Sequence, residues 1–435
     1  MRRAIILGLL LLGMQLILPL GVPGAAPQAL LMFGFLILAA YTVGEIAEGL
    51  RLPKILGYLL AGFLVGPPLL GLVPAEVVDE LSPISALAVA LIAFLAGAEL
   101  RWSEVRARGV TILKILVVEL ALSFVAIALL LVLMRRFIPF LAGGDWTRVI
   151  VLVALFASVA VVHSPAVTMG ILTETHATGP VARTTLGVVL VADVAVVILF
   201  SGALGIARSV MPPPGAEGAV SFRMLSWEVV GALIVGAALG GAIALYLRFV
   251  KRELFMFAIV VTFFGAAIAR LAHVETLLTL LMAGFVAENA TRRGAPELRD
   301  AMERSAAPVF VVFFALSGAQ IAVGDLADLW MVVIPIVLVR AAAIWQGSRL
   351  GARWAGASPP EQRYVWMGLI SQAGVAIGLA AIMATSYPAY GAQMRSLFLA
   401  VLAVNQAIGP VLFRQALVRS GEIAGALGGR VAAVE

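Results

Sequence analysis

The chain has 435 residues, 62% of them hydrophobic and 12% charged, with a mean hydropathy of +1.08 and a formal net charge of +6. It has no cysteine, which excludes disulfides, thiolate metal sites and cysteine nucleophiles, and its three histidines, His163, His176 and His273, are too far apart in sequence for a local metal motif. The basic residues are spread among short loops between apolar runs, so the positive charge reads as a topology signal and gives no reason to expect a nucleic-acid partner.

About 20 apolar residues cross the hydrocarbon core of a membrane. Runs of that kind are expected near residues 4–20, 29–48, 54–72, 83–100, 109–134, 148–173, 181–206, 226–247, 253–270, 274–290, 304–323, 328–349, 363–385 and 392–414. The pattern predicts an all-α polytopic membrane protein with 13–14 transmembrane helices. The first run follows Met1-Arg2-Arg3 and reads equally as a cleaved signal peptide, so residues 1–28 are either a leader or an extra helix. Alternate loops collect base: Arg51 and Lys54, Arg101, Arg106 and Arg108, Arg248, Lys251 and Arg252, Arg292, Arg293 and Arg299, Arg349, Arg353 and Arg363, then Arg414 and Arg419. These loops are expected to face the cytoplasm, whereas the loop around Glu76, Asp79 and Glu80 is acidic. The longest loop, about 207–226, is too short for a soluble domain, and residues 415–435 form a short cytoplasmic tail, so regulation by nucleotide would need a separate subunit.

An internal repeat narrows the architecture. Ala61-Gly62-Phe63 in LLAGFLVGP recurs as Ala283-Gly284-Phe285 in LLMAGFVAEN, and FLAGAEL, ending at Glu99 and Leu100, recurs as FALSGAQI, ending at Gln320 and Ile321. Both offsets lie close to 221 residues, so five spans fit into each of two halves, 54–206 and 274–414, joined by connecting helices at 226–270. An odd number of spans between equivalent helices sets the copies in opposite orientations, an inverted repeat of the kind many secondary transporters use.

The fourth span of the first half carries SVAVVHSPAVTMG, where Pro165 removes a backbone donor and disfavours continuous helix at Ser164. The matching span carries LISQAGVAIGLA, with Gln372 beside Gly374 and with Gly378 further on. Two unwound segments crossing at mid-membrane would expose carbonyl oxygens to an ion, while a simple proline kink with glycine packing is the plainer alternative. Asp193 stands alone in LGVVLVADVAVVILFSGAL. A carboxylate at mid-bilayer costs roughly 2.5–3.5 kcal/mol on insertion scales, and such residues mark ion or proton pathways or pair with a neighbouring helix. Arg340 lies well inside MVVIPIVLVRAAAIWQG and needs a buried partner or water. Subtracting the repeat offset lands on Glu119, which predicts a Glu119–Arg340 ion pair stapling the halves. His163 either tunes a pH response or bonds a neighbouring helix. Lys114 is expected to snorkel, Glu45, Glu48 and Glu288 read as span-end residues, and Glu99, whose repeat image is the neutral Gln320, serves orientation or packing or else contacts the ion pathway.

The run RLPKILGYLLAGFLVGPPLLG, the AFLAGAEL motif, the SPAV turn, the Asp193 helix and the FFALSGAQI segment together resemble the Kef and NapA-like branch of the monovalent cation:proton antiporters, over about residues 29–414 and without that branch's nucleotide-binding regulatory domain. The resemblance implies a scaffold or dimerisation domain, a core domain with crossed discontinuous helices, elevator-like alternating access, a homodimer, and a bacterial cytoplasmic membrane. It matches Asp193 to the family's ion-binding aspartate, Ser164 to a polar position of the first broken helix, and Arg340 to a basic residue on a late core helix. The chain departs at Ala192, where electrogenic members carry a second aspartate.

From the residues themselves, a desolvated Asp193 would take either a proton or a cation, with Ser164, Thr168, backbone carbonyls and water as further oxygen ligands. This predicts exchange of Na+ or K+ for H+, one for one and with little net charge movement, and no cofactor beyond the transported ions. A gated potassium-efflux pathway and a non-transporting, ion-sensing or anchoring membrane subunit are the alternatives; no enzyme motif is present.

Overall fold

The computed structural model describes residues 8, 25–67, 69–212, 222–249, 254–290, 295–321, 324–372 and 375–423. Of residues 1–24 only Gly8 is described, so the leader-or-helix reading of this stretch lies outside the described residues, as do Gly374 and the tail from residue 424.

The described secondary structure is helical throughout. In chain order it comprises α1 (Ala25–Gly49), α2 (Lys54–Val65), α3 (Ala75–Glu80), α4 (Ser82–Ala98), α5 (Trp102–Leu133), α6 (Trp146–Ala160), α7 (Pro165–Thr175) and α8 (Pro180–Val210). Then follow α9 (Phe222–Phe249), α10 (Leu254–Leu271), α11 (Thr276–Ala290), α12 (Ala295–Ala319), α13 (Gly324–Trp354), α14 (Pro359–Gly368), α15 (Val375–Ser386) and α16 (Pro388–Ser420). Seven described segments are long and apolar enough to cross a membrane, and six shorter apolar helices accompany them. Large apolar side chains such as Leu113, Val117 and Leu129 on α5 and Ile334 and Leu338 on α13 face outward, as a hydrocarbon surround requires.

The two expected breaks are present. The span from Trp146 is divided into pieces of 15 and 11 residues, and the matching span into pieces of 10 and 12 residues. At 1.5 Å per residue each piece runs roughly 15–22 Å, about half the roughly 30 Å hydrocarbon core. At the first break Pro165 occupies the first turn of α7, and Ser164 before it is extended, with φ −116° and ψ 106°.

The halves repeat element by element: α2, α4, α5, α6–α7 and α8 correspond to α11, α12, α13, α14–α15 and α16. Their first helices begin on opposite sides, α2 at Lys54 in a basic loop and α11 at the end remote from Arg292 and Arg293, so the repeat is inverted. The repeated glycines show how the copies interlock. A methyl group at Gly62 would run into the Ala315 carbonyl, and one at Gly284 into the Phe94 carbonyl. Equally, one at Gly97 would meet the Leu281 carbonyl, and one at Gly318 the Leu59 carbonyl. Thus the first helix of each half lies backbone to backbone against the second helix of the other, and the motifs recur because the same close approach is made twice.

Gly97→Ala and Gly284→Ala should therefore each destabilise the protein by about 1–3 kcal/mol, the usual penalty of overpacking. Gly202→Ala, where added volume meets open space, should stay within about 0.5 kcal/mol. Thermal unfolding in detergent checks the contrast; equal shifts would refute the interlock.

Two groups of helices result. The first contains α1, α2, α4, α9, α10, α11 and α12; the second contains α5–α8 and α13–α16. Within the second, α5 and α13 lie against each other, and Gly347 and Gly351 let α13 approach the backbone of α5 at Glu119 and Ile115. The seam between groups is formed chiefly by α7 against α2, α4 and α12, α16 against α2, and α8 against α9.

Candidate functional site

The broken helices meet where α6 and α14 end. A helix C-terminus leaves carbonyls without intrahelical donors, and two such ends pointing at one region concentrate negative dipole charge there. Arg340, fully buried on α13, answers both. Its Nε donates to the Ala160 carbonyl, Nη2 to Val162 and Nη1 to Ile370, each at 2.8 Å. Gln372 adds a fourth link, donating from Nε2 to Ala160 at 2.8 Å while its Oε1 accepts from Asn405 Nδ2 at 2.9 Å. One guanidinium thus ties together both breaks and α13.

Arg340 and Glu119 do not form the direct ion pair expected from the repeat; the correction has a simple cause. The carbonyl ends take all three faces of the guanidinium, and Glu119 finds a nearer donor. His163 places Nε2 3.0 Å from Glu119 Oε2 and Nδ1 2.7 Å from the Leu369 carbonyl, and Ser123 Oγ donates to Glu119 Oε1 at 2.7 Å. A carbonyl oxygen only accepts, so Nδ1 carries a hydrogen. The contact between Nε2 and the carboxyl group completes a fully buried pair. His163 therefore bonds two neighbouring elements, α5 and the segment after α14. Removing either member strands the other in a dry interior. A double-mutant cycle with Glu119→Gln and His163→Gln should show a coupling of about 0.5–3 kcal/mol in unfolding free energy; strict additivity would contradict the contact.

Asp193 lies elsewhere, on the side of α8 that faces the other helix group. Its Oδ1 is closed off from solvent and has no hydrogen-bond partner. It lines a cavity of about 40 Å³ together with Ser164 and Pro165 of the first break, Val89 and Ile92 of α4, and Glu275 at the start of α11, room for about one to three waters or one partly hydrated ion. Ser164 caps α7 by accepting from Val167 N at 3.2 Å. Thr168 is not part of this lining; its hydroxyl donates to the Ser164 carbonyl at 3.1 Å. Of the residues singled out in the sequence, then, Asp193, Ser164 and Pro165 share one cavity, Glu119 and His163 form a pair, and Arg340 and Gln372 bind the breaks. Glu275 was not anticipated, nor Asn405.

A second and larger cavity, of about 310 Å³, opens between the end of α4 and α7–α8, lined by Glu99, Arg101, His176, Arg183 and, deepest along α8, Leu186. Two basic residues, Arg101 and Arg183, stand among its lining. Nearby, Glu361 at the entry to α14, outside the spanning segments, accepts from Arg108 Nη1 at 2.8 Å, from Thr184 Oγ1 at 2.5 Å and from Ser358 Oγ at 2.6 Å. Burial raises its carboxyl pKa, but these hydrogen bonds and the Arg108 charge outweigh it and hold the group below its ordinary value. Among the described residues, no three of His, Cys, Asp and Glu cluster as a metal centre.

An inverted pair of broken helices, the first of which lends Ser164 and Pro165 to a carboxylate-lined cavity, is the plan of many secondary transporters. Residues 33–418 match the family model described as "Sodium/hydrogen exchanger, transmembrane", and the chain belongs to that family, within the monovalent cation:proton antiporters. It is 25% identical over 358 residues to the probable Na(+)/H(+) antiporter GerT of Bacillus cereus, a match covering 80% of this chain and 88% of that protein. It shares its fold with the sodium proton antiporter MjNhaP1 of Methanocaldococcus jannaschii. The structure of that protein at pH 8 aligns with a TM-score of 0.66 at 17% identity, covering 94% of this chain and 99% of the other. A second structure, from an electron-microscopy map, aligns with a TM-score of 0.71 at 16% identity, over 93% and 98%.

Proposed function

We propose that the protein exchanges Na+ or K+ for H+ at Asp193, one for one, by elevator-like alternating access in the manner of the Kef and NapA-like exchangers. The carrying observation is the unpartnered Asp193 oxygen in a cavity shared with Ser164. A carboxylate so placed is stabilised either by a proton or by a hard cation, and binding one excludes the other. Alternation of the two is exchange.

Neutral stoichiometry follows from the neighbours. Ala192 cannot titrate, Arg340 keeps its charge on three carbonyls, and Glu119 and His163 close on each other in a fully buried pair. Only Asp193 among these meets the cavity. In this reading α5–α8 and α13–α16 move as the core against a scaffold made by the other helices, through which two copies pair in the cytoplasmic membrane of a bacterium. Residues 29–414 constitute the exchanging unit. The name of the Bacillus cereus relative supports Na+ as the first cation to test.

Purified protein in liposomes, given an imposed pH gradient and Na+, K+ or Li+ in turn, tests the reading. Cation addition should move protons at a rate that is insensitive to clamped voltage. Steep voltage dependence overturns one-for-one exchange, cation flux without proton movement supports a channel, and cation binding without flux supports a sensing subunit.

A further inference from the structure

We propose that Glu275 is a second cation-coordinating carboxylate, which passes the cation between the external solution and Asp193. The inference rests on the exchange reading above and deepens it by naming an access side and a further ligand.

Four observations lead to it. First, Glu275 and Asp193 line one cavity from opposite walls, Asp193 on α8 and Glu275 at the head of α11, and with Ser164 they are the polar side chains in a lining otherwise made of groups such as Val89, Val197, Val229 and Leu281. An alkali cation in that space has these oxygens and water to replace its hydration shell.

Second, Glu275 is held rigidly by backbone hydrogen bonds. Its two oxygens accept the backbone N–H groups of Leu277 and Leu278, its own N–H donates to the Glu228 carbonyl at 3.1 Å, and its carbonyl accepts from Thr279 Oγ1 at 2.7 Å. Two of about four lone-pair positions on a carboxylate are thereby used, and the rest are available to a cation.

Third, capping alone does not call for glutamate. Neutral Ser, Thr and Asn cap as well as Asp, so the carboxylate charge is what a cap alone does not need.

Fourth, the side is defined. Both α9 and α11 run toward basic cytoplasmic loops, α9 ending at Arg248 and the next residues, and α11 just before Arg292 and Arg293. Their starts, with partly exposed Glu228 and Glu275, therefore face the exterior. Glu228 and Glu275 stand side by side at these starts, Glu275 N–H bonding the Glu228 carbonyl at 3.1 Å, so acidic side chains gather where the cation enters before Asp193 receives it. The larger cavity, with Glu99, His176 and Arg183, lies on the other side of the bundle and has no residue in common with this one.

The test uses Glu275→Asn and Glu275→Ser, which keep an oxygen to cap α11 but remove the charge, and Glu275→Asp, which keeps both. Na+ is titrated separately at the outer and inner faces of right-side-out and inverted membrane vesicles. Both uncharged variants should raise the outer-face KM for Na+ about tenfold, leave the inner-face KM within twofold, and Glu275→Asp should restore the outer value. An unchanged outer KM, an equal rise on both faces, or no rescue by aspartate overturns the proposal. If Asp193→Asn abolishes exchange while Glu275→Asn leaves the outer KM unchanged, this inference alone falls. If the wild type exchanges nothing, or Asp193→Asn still exchanges, the function assigned above falls and takes this inference with it. Should Glu275→Asn fail to fold, the contrast between Glu275→Ser and Glu275→Asp decides.

Discussion

Asp193→Asn should reduce cation-driven proton movement in proteoliposomes to the level of protein-free vesicles while leaving the fold intact. Asparagine has nearly the same shape, cannot lose a proton near neutral pH, and offers one neutral oxygen where the acid offers two charged ones. Both halves of the exchange therefore fail together. Stability should respond in the opposite direction. Asp193 Oδ1 has no partner to lose, and relieving an unpaired charge in a low-dielectric site removes a cost. Unfolding in detergent should thus be within about 1 kcal/mol of the wild type or shifted upward. That pairing separates a transport residue from a structural one: strong destabilisation would mean that Asp193 holds the bundle together, and surviving exchange would remove it from the mechanism.

The largest loss of stability is expected at Arg340. Replacing it with methionine preserves much of the volume but leaves the carbonyls of Val162 and Ile370 without the donors they have now, and leaves Ala160 with Gln372 alone. Each stranded buried acceptor costs about 1–3 kcal/mol, and breaking a buried charged contact costs about 3–5 kcal/mol. A loss of about 3–5 kcal/mol is expected, together with loss of exchange, because the Ser164 end of the first break would no longer be held. Arg340→Lys should lie between, since an ammonium group is a point charge that cannot reach three carbonyls in the planar pattern a guanidinium provides. Equal stability of Arg340→Met and wild type would show that the carbonyls find other donors.

The sequence reading reached the membrane class, the inverted halves and both helix breaks because each leaves a local signature: long apolar runs, a repeated Ala-Gly-Phe, and a proline where a helix should continue. It also brought Glu119 and Arg340 forward, since mid-span charges are rare. It went wrong on their partners. The repeat offset predicts equivalent positions, not contact, and a guanidinium aimed at three backbone carbonyls has no trace in residue types, because every residue has a carbonyl. Thr168 was a reasonable oxygen donor by spacing, but one helical turn from Ser164 its hydroxyl reaches back to that residue's carbonyl. Glu275 was missed because in RLAHVETLL it sits where a span begins, the place at which an acid draws least notice. Only the folded arrangement, with α11 set opposite α8, gives it a view of Asp193.

Arg340 has a further mechanical consequence. Because a single side chain rivets the ends of both interrupted helices to α13, the two breaks cannot drift apart without exposing charge and bare carbonyls to an oily interior. Any slide of this block past its neighbours carries the hydroxyl of Ser164 and the carboxylate of Asp193 along as a unit. If the block travels during exchange as proposed, these two oxygen ligands leave together while Glu275 on α11 stays behind, so the cation is handed over at one end of the journey only.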